Sequence, residues 1–495
     1  MDLVNGIANL FSFSNLLYCF LGCVLGTLVG VLPGIGPAAT LSILLPVTTY
    51  MDPTGSIIML AGIFYGAQYG GSTTSILVNI PGEVSSVVTC FDGFAMTRQG
   101  RAGQALWMAA VGSFIAGTLG TIAFSFIGPG IAIHALKFGP PEYFGLIFFS
   151  LTLIVSLSGA SITKGLGAGL IGLILATIGL DPLTASPRFT FSSVKLMRGF
   201  ELIPVAIGLF GIGEILASAD LGRSRIYEGQ LGRMMPRGKE LTKGLLASLR
   251  GTVVGFVGGL LPGLVPAIVT FFAYDVEKKC SKYPERFGTG VIEGVAGPEA
   301  ANNATAQANF IPLFTLGIPS SPATALLLAA LVLHGLEPGP MLFQANKEFV
   351  WTVIASMFIG NVMLLILNLP LVGLWARISL IPYKYLGPTI LAICVVGAYS
   401  SRSILFDVWV ALGFGIVGLI MRKNNWPMAP LILGFLLGDM LERAFRTSLS
   451  MGGPLVFLTR PIPVAFFVLS IVVTVISLIY LRRVPKQVIE DDADE

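Results

Sequence analysis

The chain has 495 residues, of which 54% are hydrophobic and only 11% charged, with a mean hydropathy of +0.84. That composition excludes an ordinary soluble domain. The net charge of +4 is spread over loops, which argues against a nucleic-acid partner, and the five cysteines form neither a metal-ligand spacing nor a disulfide framework.

The N-terminus lacks a basic leader region, so no secretory signal peptide is expected. Cys19 and Cys23, one helical turn apart on an apolar segment, read as small packing residues. The first motif follows as Gly26-Thr-Leu-Val-Gly30-Val-Leu-Pro33-Gly34-Ile-Gly36-Pro37. Lipid offers no water to a broken backbone, so a helix interrupted there must line something polar. Residues 66–83 come next, with Gln68, Ser72, Thr73, Thr74 and Ser75 leading into Asn79-Ile-Pro81-Gly82. They read as small polar residues at a helix start followed by a proline break. Free N–H groups and the positive dipole end at such a start attract carboxylates or phosphates. Carbonyls freed at the break can instead hold a cation such as Na⁺. Interhelical hydrogen bonding is the plainer reading of Ser, Thr and Asn in a bundle, but it seldom needs so many polar groups beside a proline break. Glu83, Asp92, Glu142, Lys164 and Asp181 flank loops and are expected to be solvated, and His134 and His334 stand alone near helix ends.

Leu202 to Ala219, Phe349 to Trp375 and Val464 to Leu481 are apolar runs long enough to cross ~30 Å of hydrocarbon, and roughly ten to fourteen spans or half-spans are expected in all. Residues 220–250 break this pattern with Arg223, Arg225, Arg233, Arg237, Lys239, Lys243 and Arg250. The first motif then recurs as Gly251-Thr-Val-Val-Gly255, followed by Leu-Leu-Pro262-Gly263-Leu-Val-Pro266, 225 residues after its first copy. Between Arg250 and Lys278 there are too few apolar residues for two crossings of ~20 each, so a re-entrant hairpin with its tip at Pro262–Pro266 is expected. A single kinked span is the competing expectation. The second polar cluster, Glu299, Asn302, Asn303, Thr305 and Gln307, leads into Gly317-Ile-Pro319-Ser320-Ser321-Pro322. Further marks also repeat: Pro204 to Gly208 with Glu214 answers to Pro430 to Gly434 with Asp439. Glu214, Glu299 and Asp439, acids at membrane depth, are candidates for holding a coupling Na⁺ or H⁺.

These repeats predict an all-α polytopic integral membrane protein of two homologous repeats, with re-entrant or broken helices at Pro33–Pro37 and Pro262–Pro266. The expected division is a first repeat over residues 1–225, a basic cytoplasmic connector over 226–248, a second repeat over 249–455, a final helix over 456–482 and a cytoplasmic tail over 483–495. The first 97 residues hold no Lys or Arg, whereas the approach to the second motif is strongly basic. By the positive-inside rule the halves are then inverted, with Arg482, Arg483 and Lys486 holding the C-terminus in the cytoplasm. Arg443, Arg446 and Arg460 run against this scheme, falling where the outer face is expected.

The strings at 26–37, 66–83, 292–305 and 313–327, above all PEAANNA at 298–304, resemble the large membrane subunit of the tripartite tricarboxylate transporters. The resemblance covers nearly the whole chain from about Gly26. It implies a multi-pass protein of the bacterial inner membrane that imports carboxylates with a small membrane subunit and a periplasmic solute-binding protein, driven by an ion gradient. Substrate-binding positions carry over to Pro33, Gly34, Gly36, Ser72, Thr73, Thr74, Asn79, Pro81, Pro262, Gly263, Asn302, Asn303, Thr305, Pro319 and Ser320. No cofactor is implied beyond the coupling ion. The sequence departs from the family where Leu264, Val265 and Pro266 follow the second Pro-Gly and where Ser321-Pro322-Ala323 follows Pro319-Ser320. A passive anion channel would need a continuous polar lining, and a membrane-embedded enzyme a catalytic set. No HExxH, Walker A lysine loop or GxSxG elbow occurs.

Overall fold

Proline sets where many of the helices begin: Pro37, Pro53, Pro140, Pro266, Pro322 and Pro461 each open one, at a position whose N–H would have no intrahelical partner. The computed structural model describes residues 2–32, 36–156, 161–217, 231–261, 264–378 and 383–483. The first half holds α1 (Asp2–Leu10), α2 (Phe13–Val31), α3 (Pro37–Thr48), α4 (Pro53–Val78), α5 (Val87–Arg98) and α6 (Ala102–Ala135). It continues with α7 (Pro140–Ser156), α8 (Ile162–Ala176), α9 (Leu202–Ala206) and α10 (Gly213–Ala217), the last two joined by a π-helical stretch, Ile207–Ile212. The second half holds α11 (Lys239–Leu260), α12 (Pro266–Cys280), α13 (Glu293–Ala308), α14 (Phe310–Leu316), α15 (Pro322–Leu333), α16 (Leu342–Ala345) and α17 (Lys347–Asn368). It ends with α18 (Val372–Ile378), α19 (Tyr383–Arg402), α20 (Leu405–Lys423), α21 (Met428–Gly452), α22 (Val456–Thr459) and α23 (Pro461–Arg483). A two-residue antiparallel pairing, Gly179 with Arg188 and Leu180 with Pro187, is the sheet structure among the described residues. Helices α2, α6, α17 and α20 are long and apolar enough to cross a membrane, and shorter apolar helices accompany them.

Both copies of the glycine motif do the same work. A Cβ on Gly22, Gly26 or Gly30 of α2 would lie 2.4, 2.7 and 2.3 Å from the carbonyl oxygens of Met59, Ile63 and Ala67 on α4. On α11, a Cβ on Gly251, Gly255 or Gly259 would lie 2.1, 2.2 and 2.6 Å from those of Gly297, Ala301 and Thr305 on α13. Small residues at every fourth position let two backbones touch, and the contacts advance together, so each pair runs parallel. Gly255→Ala should therefore force α11 off α13 at a cost of about 1–3 kcal/mol, read as a lower unfolding midpoint of the detergent-purified chain.

The helix is broken at both copies. Leu32 (φ −88°, ψ 108°) and Leu261 (φ −87°, ψ 114°) are extended immediately after α2 and α11, and Gly36 and Val265 are extended immediately before α3 and α12. Pro33, Gly34, Pro262 and Gly263 lie outside the described residues, as do Arg223, Arg225 and Lys486.

Helices from the two halves exchange partners. The Cys19 and Cys23 thiols on α2 donate to the carbonyls of Ser356 and Gly360 on α17, at 3.6 Å each, while α11 lies along α6, where a Cβ on Gly112 would sit 2.8 Å from Ser248 Oγ. Further out, Gly434 of α21 abuts the Gly169 carbonyl of α8, and Gly208 of the π stretch abuts the Ala411 carbonyl of α20; a Cβ on either glycine would lie 2.5 Å from that oxygen. At the centre α4 and α13 run in opposite directions, with Gln68 beside Asn302 and Ser72 bonded to Glu299, and Phe64 of α4 meets Phe310 at the start of α14.

Four of the five loop-flanking residues expected to be solvated are buried. Glu83, Asp92, Glu142 and Asp181 are 9%, 0%, 4% and 8% exposed. Loop position misled because each carboxylate is taken up by donors that the fold brings to it from distant segments. Glu142 accepts from Gly139 N at 2.9 Å and pairs with Arg460 at 3.0 Å, and Asp181 pairs with Arg446 at 2.6 Å while accepting from Leu183 and Thr184 N. Those backbone N–H groups hold the Asp181 carboxyl well below its usual range. Arg446 and Arg460, two of the cations that ran against the charge pattern, thus serve as partners of buried acids. At the opposite end Arg101 pairs with Glu240 (2.6 Å) and Lys243 with Glu293 (3.0 Å), gathering the starts of α6, α11 and α13 around the basic connector.

Candidate functional site

The site begins with how α13 is held. Its approach, residues 288–291, turns its N–H groups inward onto the carboxylate of Asp92 from α5, with Gly288, Gly290 and Val291 donating at 3.0, 2.8 and 2.9 Å. Tyr274 OH adds a fourth donor at 2.8 Å. A first-half acid therefore fixes the start of the second half's central helix, and the polar face of α13 meets that of α4.

The two polar clusters converge there. Glu299 accepts from the Ser72 hydroxyl of α4 and the Thr89 hydroxyl of α5. Asn302 Nδ2 donates to Glu83 Oε1 at 3.0 Å, and Ser85 Oγ donates to the same oxygen at 2.5 Å. With its amide oriented by these neighbours, Gln68 donates to Glu83 Oε2 at 3.0 Å and faces Asn302 Oδ1 at 2.8 Å. Asn303 Nδ2 donates to Ser113 Oγ of α6 at 2.7 Å. Glu299, Asn302, Asn303, Ser72 and Gln68 are at most 4% exposed. Neither Glu83 nor Glu299 contacts a Lys, Arg or His among the described residues.

The polar residues do not stand at helix starts as expected. Gln68–Ser75 occupy the C-terminal half of α4 and Glu299–Gln307 the body of α13. Each proline break instead follows a helix end. Asn79 (φ 59°, ψ 32°) and Gly317 (φ 69°, ψ 26°) close α4 and α14 in the left-handed conformation, with Ile80 N and Ile318 N bonded back to Thr74 O and Pro312 O. Pro81 and Pro319 then forbid continuation. Four residues past each cap the chain re-enters helical structure through a reciprocal capping box: Glu83 with Ser86 opens a three-residue 3-10 turn, Val84–Ser86, that leads into α5, and Ser321 with Thr324 opens α15. The two links thus have one construction and one difference: a carboxylate caps the first helix start and a neutral hydroxyl the second. Beside the second, Ser320 is fully buried and its hydroxyl has no hydrogen-bond partner among the described residues.

Other candidates divide. Ser72 and Thr73 line a small cavity of ≈ 10 Å³ with Tyr69, Ser113 and Asn368. Thr74 Oγ1 is spent on Gly71 O and Thr305 Oγ1 on Gly255 O, where it joins α13 to α11. Glu214 is ion-paired with Arg422 of α20, and Asp439 is exposed on α21; neither reaches the α4–α13 contact. Sequence reasoning missed Glu83, Thr89, Ser113 and Asn368. Ser113 and Asn368 stand alone in apolar helices, and an isolated amide or hydroxyl at membrane depth is the signal that could have found them.

The fold and this buried polar centre define a multi-pass α-helical membrane protein with a polar site shared by two halves. The chain belongs to the tripartite tricarboxylate transporter TctA family, whose model matches residues 16–433. That is a family of transporters rather than of enzymes, and of systems with further subunits. The chain is 45% identical over 491 residues, covering 97% of both proteins, to the "uncharacterized 52.8 kDa protein in TAR-I ttuC′ 3′region" of Agrobacterium vitis. It is also 45% identical over 229 residues to the "uncharacterized protein in TAR-II ttuC′ 3′region" of the same organism, covering 46% of this chain and 95% of that one. No solved structure matches it.

Proposed function

We propose that this chain is the transport subunit of an inner-membrane carrier importing di- or tricarboxylates by cation-coupled alternating access, with a small membrane subunit and a periplasmic solute-binding protein. The observation that carries the reading is the pair of links at 79–83 and 317–321. A helix start buried in a protein core attracts negative charge through its free N–H groups and dipole. At the first, the 3-10 turn that leads into α5, that charge is the chain's own Glu83. At the second the cap is neutral and the buried Ser320 hydroxyl is uncommitted, which suits a carboxylate brought by the substrate. The opposed directions of α4 and α13, and the exchange of partners between halves, support an inverted-topology pair of repeats over residues 1–225 and 249–455. The basic cluster at Arg101, Lys243 and the connector supports a cytoplasmic face there, and a C-terminus on the same side.

An anion entering against an inside-negative potential is opposed by ~2.3 kcal/mol per charge per 100 mV, so a co-transported cation offsets the cost. The test is uptake of labelled di- and tricarboxylates into vesicles holding this chain, the small subunit and the binding protein, with Na⁺ and H⁺ gradients imposed separately. Saturable accumulation above the outside concentration is expected under one of the gradients. Flux that never saturates and never accumulates would mean a passive anion channel.

A further inference from the structure

The small cavity beside Ser72 has room and polar groups for an occupant. Its ≈ 10 Å³ matches one water-sized body; its polar wall comes from α4 (Tyr69, Ser72, Thr73), α6 (Ser113) and α17 (Asn368), and Leu106, Ala109 and Ala110 of α6 close the apolar side. Asn368 is 5% exposed; its Nδ2 donates to Leu364 O at 3.0 Å and to Thr27 Oγ1 at 3.4 Å, which leaves Oδ1 as a buried oxygen with no donor. The Ser72 hydroxyl gives its proton to Glu299, so its lone pairs are directed elsewhere and enriched by the carboxylate behind them. Ser113 Oγ accepts from Asn303 and keeps a second lone pair. Thr73 makes no hydrogen bond through its side chain among the described residues. The polar groups of the set are all hard oxygens, gathered on one side of the cavity, with one uncompensated carboxylate one atom behind them.

We propose that this cavity binds a single dehydrated Na⁺, held by Asn368 Oδ1, Ser72 Oγ, Thr73 Oγ1 and Ser113 Oγ and charge-balanced by Glu299 through Ser72. A divalent ion would call for several carboxylates in direct contact, and here there is none. One positive charge instead neutralises a buried acid that has no basic partner. The ion would join α4, α6 and α17, and through Ser72–Glu299 and Ser113–Asn303 it would also reach α13, so its binding bears on how the two polar faces lock. The coupling role rests on the carrier reading above; the binding does not.

The test uses the purified full chain in lipid nanodiscs, without substrate. Its unfolding midpoint is followed as NaCl replaces choline chloride at constant ionic strength, with KCl in parallel. A saturating rise with Na⁺ alone is expected, because a ligand that binds only the folded state stabilises it. Glu299→Gln, which removes the charge behind the ligands, should weaken the apparent Na⁺ affinity about 10- to 100-fold. Asn368→Leu and Ser113→Ala, each removing a ligand, should weaken it as well, and the second keeps the test open should the first fail to fold. A midpoint indifferent to Na⁺, or equally responsive to K⁺, would mean that the cavity holds only water and overturns the proposal. So would a wild-type Na⁺ response in Ser113→Ala and Glu299→Gln together. Carboxylate uptake driven by protons with no Na⁺ response would sink the cation site and leave the carrier; a Na⁺ response without uptake would do the reverse.

Discussion

Replacing Asp92 with Ala is expected to lower stability by about 2–3 kcal/mol, because the buried Gly290 N–H and the part-buried N–H groups of Gly288 and Val291 lose their common acceptor together with the Tyr274 phenol, and an orphaned buried donor costs about 1–3 kcal/mol. Asp92 is fully buried, and no cation shares it among the described residues; Gly288, Gly290, Val291 and Tyr274 surround it with donors alone. The space is also closed, since a Cβ on Gly294 would lie 2.1 Å from Asp92 Oδ2. Asp92→Asn keeps one acceptor oxygen but turns an NH₂ toward other donors, so an intermediate loss is expected. The unfolding midpoint of the detergent-solubilised chain reads both. A midpoint for Asp92→Ala equal to that of the parent would show that the turn at 288–291 stands without its anchor. The functional consequence follows from position: loosening that turn releases the start of α13, and with it Glu299, Asn302 and Asn303.

Asp92 also marks where sequence reasoning ran out. A carboxylate between Phe91 and Gly93, close to Arg98 and Arg101, looks like a solvated helix end, and only the fold brings the 288–291 N–H groups to it from the other half. Glu83 misled for a related reason: next to Pro81 and Gly82 it reads as a loop acid, yet it caps a buried helix start and takes up Asn302. The features that were legible are the ones carried by backbone rules. Apolar runs broken by glycine and proline identified an all-α membrane protein, the Pro-Gly strings after Gly26 and Gly251 marked two helix breaks, and Ile-Pro after Asn79 and Gly317 marked two more interruptions. What local rules cannot give is which end of a helix a polar run occupies. Gln68–Ser75 stand before a proline break in any reading, but whether they begin a helix or finish one depends on Asp52 and Pro53, fifteen residues upstream, which start α4 with a side-chain cap to Gly55 N at 2.7 Å.

Asn302→Ala combined with Asn303→Ala is expected to bring carboxylate uptake to background while the chain is still extracted and assembled. The helix contact that holds α13 in place is made by backbone against Gly251, Gly255 and Gly259, and neither asparagine takes part in it. What the substitutions remove is the linkage between faces. Asn302 gives Glu83 one of its directed donors, and a hydrogen bond to a charged group is worth about 1.5–3 kcal/mol. Asn303 ties α13 to Ser113 of α6 and, through its own turn, to the carbonyl of Glu299 at 3.2 Å. If those bonds are made in only one of the two access states, their loss shifts the balance of states by about tenfold or more for each, because 1.4 kcal/mol is tenfold in an equilibrium. The single variants separate the contributions. Asn302→Ala acts on Glu83 and the first helix start, whereas Asn303→Ala acts on Ser113 and so also weakens the response to Na⁺. Uptake at the parent rate by the double variant, in vesicles with the complete system, would reduce the α4–α13 contact to interhelical glue and move the transport path elsewhere in the molecule.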